Sequence, residues 1–159
     1  MLPHEHISDT LLHKQFVITA GMKLIQYLHD NERDKDALQL ARRCARHDNS
    51  KFESEEMHGF LQLPKEGENM KNANAAMPES VQNFVKMHWK HNRHHPEFFA
   101  DYHEMEELDI MEMVCDWYAR SLQFGTNFKD FIKTRQANRF KFDEDFFAVV
   151  WKYCEIIDA

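Results

Sequence analysis

Four of the chain's eleven histidines fall within eight positions, in His88-Trp89-Lys90-His91-Asn92-Arg93-His94-His95, directly ahead of Pro96-Glu97. Imidazoles at this density can bind a transition metal, relay protons or simply hydrogen-bond. Upstream, Val81, Phe84 and Val85 are spaced three and four apart, so the segment reads as a helix. At about 100° per residue, His88, His91 and His95 share the side of those apolar residues, while His94 points elsewhere if the helix stays regular. Pro96 disfavours helical φ/ψ at His95, so the helix is expected to end close to there. Imidazoles on the buried face of a helix need polar partners or a metal.

Three other helices carry residues that could meet that cluster. His13 lies on the inward stripe of a helix from Ser8 or Asp9 to about Leu28, together with Phe16, Val17, Ala20 and Leu24. Alone it reads most simply as a hydrogen-bonded core histidine. A second helix, Ala37 to about His47, turns Ala37, Ala41 and Cys44 inward and ends in His47-Asp48, where a neutral and a charged donor could reach one ion. The third, Leu108 to about Phe124, is apolar nearly all round and stops at Gly125, yet it contains Asp116. A buried carboxylate must be protonated, ion-paired or bound to a cation. Arg120, one turn on, is its simplest partner. Asp109 is the second candidate ligand, within an acidic run from Glu104 that otherwise reads as solvated.

At 159 residues with 43% hydrophobic content, four glycines and four prolines, the chain is expected to form one all-α domain over 1–159, a bundle of about six to seven helices. The site-bearing helices occupy about 8–124, and two packing helices, about 127–138 and 143–157, complete the bundle. A short helix over Glu55–Leu61 precedes a connection, about 62–78, long enough to be a lid, a binding loop or an excursion. The net charge of −7 argues against non-specific nucleic-acid binding. No apolar run is long enough for a membrane span. Cys44, Cys115 and Cys154 are dispersed and odd in number, which suits a reducing, cytoplasmic setting. Glycine-rich phosphate loops and nucleophile elbows are absent.

The ordered set of His13, His47-Asp48, the 88–95 histidines and Asp116 resembles the HD-domain superfamily of metal-dependent phosphohydrolases. His47-Asp48-Asn49-Ser50-Lys51 is similar to that superfamily's His-Asp-x-Gly-Lys pair, with Ser50 replacing the glycine. His94-His95-Pro96-Glu97 resembles the His-His-Glu segment of the subgroup that hydrolyses cyclic dinucleotides, but Pro96 is inserted and the following Gly-Tyr-Pro is missing. The pattern is more similar still to a family of small uncharacterised bacterial and phage proteins, over roughly residues 10 to 120. The resemblance implies an HD-type helical bundle with His13, His47, Asp48 and Asp116 around a first divalent transition metal. With a second ion, Asp48 would bridge, and His88 with His94 or His95 would supply most of the remaining ligands. Fe, Mn, Zn, Ni and Co all suit such donors and are not ranked.

Metal ions of this kind lower the pKa of a bound water and neutralise charge on a phosphoryl oxygen. Lys51, Arg46 and Arg93 would hold the phosphate, and Glu97 would orient a histidine from behind. The leading expectation is a phosphohydrolase acting on a small nucleotide or phosphodiester, with Asp48, Lys51 and Glu97 as catalytic residues and oligomerisation left open. The alternatives are an HD-type di-iron oxygenase and a non-enzymatic binding protein with a structural metal.

Overall fold

The computed structural model describes residues 1–62 and 79–159, which are helical with no strand among them. Seven helices are found among these residues: α1 (Pro3–Asp30), α2 (Asp34–Arg46), α3 (Ser54–Phe60), α4 (Glu79–His91), α5 (Glu107–Gln123), α6 (128–140) and α7 (Glu144–Asp158). The expected all-α bundle is what forms. The 62–78 connection lies, apart from its first residue, outside the described residues.

α1 is the longest element, and α2 and α5 pack along it. Its stripe of Val17, Ala20, Leu24 and Leu28 meets Leu40 of α2 and Met111 and Val114 of α5, all fully buried or nearly so. α5 accordingly lies at the centre, as its all-round apolar character requires. Gly21 permits the close approach of α1 to α2, because a Cβ there would lie 2.6 Å from Cys44 Sγ. Gly125, at φ +63, ends α5 in the left-handed region that glycine enters without a steric penalty. All three cysteines are free and buried.

Two local departures shape the site. α4 ends at His91, earlier than the proline alone requires, and a turn follows in which the His95 N–H donates to the Asn92 carbonyl at 3.1 Å. The Asn92 side chain stops the helix by donating to the His88 carbonyl, 2.8 Å away. Within α6, residues Phe131–Gln136 form a π-helical turn, flanked by α-helical Phe128–Asp130 and Ala137–Phe140. The Ala137 N–H accordingly donates to the carbonyl of Ile132, five residues back. No described helix is long and apolar enough to cross a membrane.

Candidate metal centre

Asp48 sits where α2 gives way to a 3-10 turn, Asn49–Phe52, and takes the left-handed conformation at φ 55. That conformation is uncommon away from glycine but tolerated by Asp, and here it drives the carboxylate inward beside His47. Its Oδ1 lies 3.5 Å from His47 Nε2, 3.3 Å from His88 Nε2 and 3.4 Å from His94 Nε2. Despite three imidazoles at this range, Oδ1 makes no hydrogen bond, and neither does His94 Nε2. Both atoms are buried, and buried polar atoms are rarely left without a partner. A cation at their common focus would satisfy them.

The donors divide into two groups that meet at Asp48. In the first, His13 Nε2 lies 2.9 Å from Asp116 Oδ1, 3.3 Å from His47 Nε2 and 3.8 Å from Asp48 Oδ2. In the second, Asp48 is joined by His88, His94 and His95, with the His88 and His95 Nε2 atoms 3.1 Å apart. Ligands roughly 2.0–2.2 Å from one ion stand roughly 3–3.5 Å from one another, so these spacings fit a metal. The expected ligands His13, His47, Asp48, His88, His94, His95 and Asp116 therefore converge, and these buried groups can hold a metal ion. His94 is part of the set because α4 has already ended, which frees its side chain from the helical direction that would have turned it away.

Behind four of the five histidines, carboxylates and an amide fix the ring. His13 Nδ1 donates to Gln123 Oε1 at 2.8 Å, His47 Nδ1 to Glu112 Oε1 at 3.0 Å, and His88 Nδ1 to Glu56 Oε2 at 2.9 Å. Glu112 also lies 3.3 Å from His94 Nδ1, and Glu56 holds His91 at 2.8 Å. With the Nδ1 atoms of these four rings engaged, their Nε2 atoms face the focus, as in carboxylate–histidine–metal arrangements. Glu56, Glu112 and Gln123 did not stand out in the sequence. Their only signal was an acidic or amide residue embedded in helices whose other inward positions are apolar.

The electrostatics of the metal-free protein agree with a cation site. Burial pushes the His13 imidazole down to about 4, with Arg120 adding to the effect, so that ring is neutral and ready to donate. Burial alone would lower His47, but Asp48, Asp116 and Glu112 outweigh it and raise the imidazole to about 10. Burial would raise the Asp48 carboxyl, yet His47, Lys51 and His88 hold it well below the usual range. Glu112 is likewise brought down to about 2 by His47 and His94 against its burial. A proton on His47 thus stands among ionised carboxylates.

A cavity of about 230 Å³ opens onto the donors at Asp48, His88, His95 and Asp116. Lys51 reaches it from the 3-10 turn, buried, with Nζ 2.6 Å from Asp48 Oδ2 and its own carbonyl 3.0 Å from His6 Nε2. Arg120 and Arg139 line the same cavity. Arg120 Nε forms a long ion pair with Asp116 Oδ1 at 3.9 Å, as expected, while the His13 imidazole stands closer, at 2.9 Å.

Several expected roles need correcting. Glu97 reaches no histidine; it pairs with Arg139, because the turn after Pro96 directs it toward α6. Arg46 and Arg93 line a separate open groove with Arg42 and Arg43, not the cavity, because α2 and the 92–95 turn carry them to the opposite side of the donors. Asp109 is no ligand and no solvated residue: it is fully buried and clamped by Arg43 and by Arg93 at 3.0 Å. His91, which shares the inward side of α4, is half-exposed and bound to Glu56.

No curated protein and no solved structure matches the chain. A family model does match, over residues 3–155, a span that includes every donor from His13 to Asp116. On that match, the chain belongs to the family of unknown function DUF5662.

Proposed function

We propose that this chain is a metal-dependent phosphohydrolase of HD-domain type, acting on a small nucleotide or phosphodiester. The observation that carries this reading is Asp48 Oδ1, buried, ringed by three imidazole nitrogens and hydrogen-bonded to none. His13, His47, Asp48 and Asp116 would hold one ion; His88, His94 and His95 would hold a second, sharing Asp48. Divalent ions there acidify bound water and offset charge on a phosphoryl oxygen. The donor chemistry accommodates Fe, Mn, Zn, Ni or Co.

The chain's own groups supply the rest. Glu56, Glu112 and Gln123 keep the rings oriented, so that little reorganisation accompanies binding. Lys51 presents a buried point charge at the cavity wall, and Arg120 and Arg139 present forked guanidinium groups suited to a phosphate. Phe60, Trp89, Trp117 and Phe140 line the remaining wall and keep bulk water from the donors. Arginine pairing with a phosphate takes over the role first assigned to Arg46 and Arg93.

Elemental analysis of the purified protein should find a transition metal. Adding back each candidate metal to chelated protein should restore phosphate release from at least one nucleotide or phosphodiester. His47→Ala and Asp48→Ala should remove that activity while the helical circular-dichroism spectrum persists; full activity in both would overturn the reading. The histidine-rich second group of donors also suits a di-iron oxygenase. As-isolated iron with a visible absorption band and O₂ consumption, without phosphate release, would favour that chemistry. Metal that raises the melting temperature but supports no turnover would make the site structural.

A further inference from the structure

The cavity lining combines two chemistries. Lys51, His88, His95, Arg120 and Arg139 are cationic or imidazole groups, and Trp117, Phe124, Phe131 and Phe140 are aromatic, with the Arg139 guanidinium 4.7 Å from the Phe140 ring centroid. One neutral polar side chain, Gln136, stands in that lining. It is 7% exposed, and its Oε1 is buried without a hydrogen-bond partner. An amide in such surroundings is normally satisfied.

Its position is set by the π-helical turn of α6. In an α-helix, residues five apart differ by about 140° around the axis, so Phe131 and Gln136 could not face one cavity. A turn closed by hydrogen bonds to the fifth residue brings Gln136 nearly back over Phe131, and both line the cavity. Single π turns recur at functional sites, where they redirect a side chain at the expense of helix regularity. Here the redirected group is an amide, which offers a donor and an acceptor side by side.

We infer that Gln136 is a specificity-determining residue that reads the base of a nucleoside monophosphate, whose ring lies among the aromatic side chains and whose phosphate lies toward Lys51, Arg120 and Arg139. This deepens, and rests on, the reading of the cavity as a site for a phosphorylated substrate. A ring is favoured over a bare sugar phosphate because the lining is rich in aromatic side chains and carries one amide, not the several polar groups that hydroxyls require. The edge of a nucleobase carries the adjacent N–H donor and acceptor that match an amide in two parallel hydrogen bonds, the geometry by which Asn and Gln pair with adenine. Stacking on aromatic faces holds any base, and the amide adds selectivity.

The test compares binding of AMP, GMP, CMP and UMP with that of ribose 5-phosphate and inorganic phosphate, by calorimetry on the full chain as purified. At least one nucleotide should bind ten-fold or more tightly than both base-free probes, and the four nucleotides should differ in affinity. Gln136→Met, which keeps the length and removes the amide, should level the four nucleotides and leave inorganic phosphate binding within two-fold; Gln136→Leu serves where the first variant does not fold. A folded variant that retains the preference among bases, or a wild-type protein with none, overturns the inference. Phosphate release assayed in parallel separates it from the broader reading. Base preference without release would refute hydrolysis alone, whereas equal release from ribose 5-phosphate and the nucleotides would refute the role of Gln136 alone.

Discussion

The two halves of α5 bury carboxylates in opposite ways. Toward its start, Asp109 is clamped by Arg43 and Arg93 and also accepts from the Glu106 N–H at 2.9 Å, while Glu107 binds Arg33 and Tyr153. Two turns on, Asp116 faces the imidazoles of His13 and His47, and beyond them Asp48 Oδ1 has no hydrogen bond at all. Permanent guanidinium charge completes the first network. The second is built mainly from imidazoles, with Lys51 on Asp48 Oδ2 and Arg120 at 3.9 Å from Asp116, and it leaves Asp48 Oδ1 and His94 Nε2 without a hydrogen bond. A buried acid closed off by arginine is a strut, whereas one facing lone pairs is a place for an ion.

The sharpest way to break this contrast is to neutralise each acid in turn. Asp116→Asn should remove the ion it would share with His13 and His47, lowering the metal bound per chain, and abolish any metal-dependent turnover, with the helical fold retained. Asp109→Asn should do the reverse: metal per folded chain unchanged, but stability lower by about 3 kcal/mol, the low end for a broken buried pair because Arg93 is itself half-exposed. Denaturant unfolding and elemental analysis on both variants decide the matter, and equal metal loss in both would erase the distinction.

A smaller effect sharpens it. If Glu112 and Glu56 act by orienting imidazoles, Glu112→Gln and Glu56→Gln should weaken metal affinity by about 10–100-fold without eliminating it. Competition with a chromophoric chelator measures this, and wild-type affinity in both variants would leave the carboxylates without that role.

The smallest effect concerns a histidine outside both networks. His103 lies exposed between Asp101 and Asp143, the N-cap of α7. Hydrogen bonds from its ring to Asp143 and Asp101 raise its pKa from 6.5, and both carboxyls are lowered from 3.8. A raised imidazole contributes stability that is fully present below 6.5 and fades as pH climbs through the folded value. The lowered carboxyls contribute above 3.8 and fade as pH falls through theirs. The melting temperature of wild type should therefore exceed that of His103→Ala by a small margin near pH 5–6, with the difference shrinking at alkaline pH. A difference constant from pH 5 to 9 would show that the ion pairs contribute nothing.

Much of the bundle could be read along the chain, because helical periodicity and end signals are local. The 3.6-residue stripes on α1 and α5, the glycine after α5 and the inward position of His13 all follow from neighbours within two turns. His13, Asp116 and the histidines at 88 and 95 stand out for the same reason, as polar residues on apolar stripes, whereas the ligand set as a whole, and His94 in it, came from the resemblance. What failed was anything that depended on where a helix stops or what lies opposite. Asn92 stopped α4 early and turned His94 inward, and the turn after Pro96 sent Glu97 to Arg139 instead of a histidine.

The primary structure by itself determined which side chains could bind a cation and that helices would carry them, since both depend on residue type and short-range spacing. Only the tertiary structure decided which acids are clamped by arginine and which face imidazoles, which arginines reach the cavity, and that a π turn would aim Gln136 into it. Those choices rest on contacts between residues 30 to 110 positions apart, such as Glu56 with His88 and His13 with Gln123, and helix packing alone brings such pairs together.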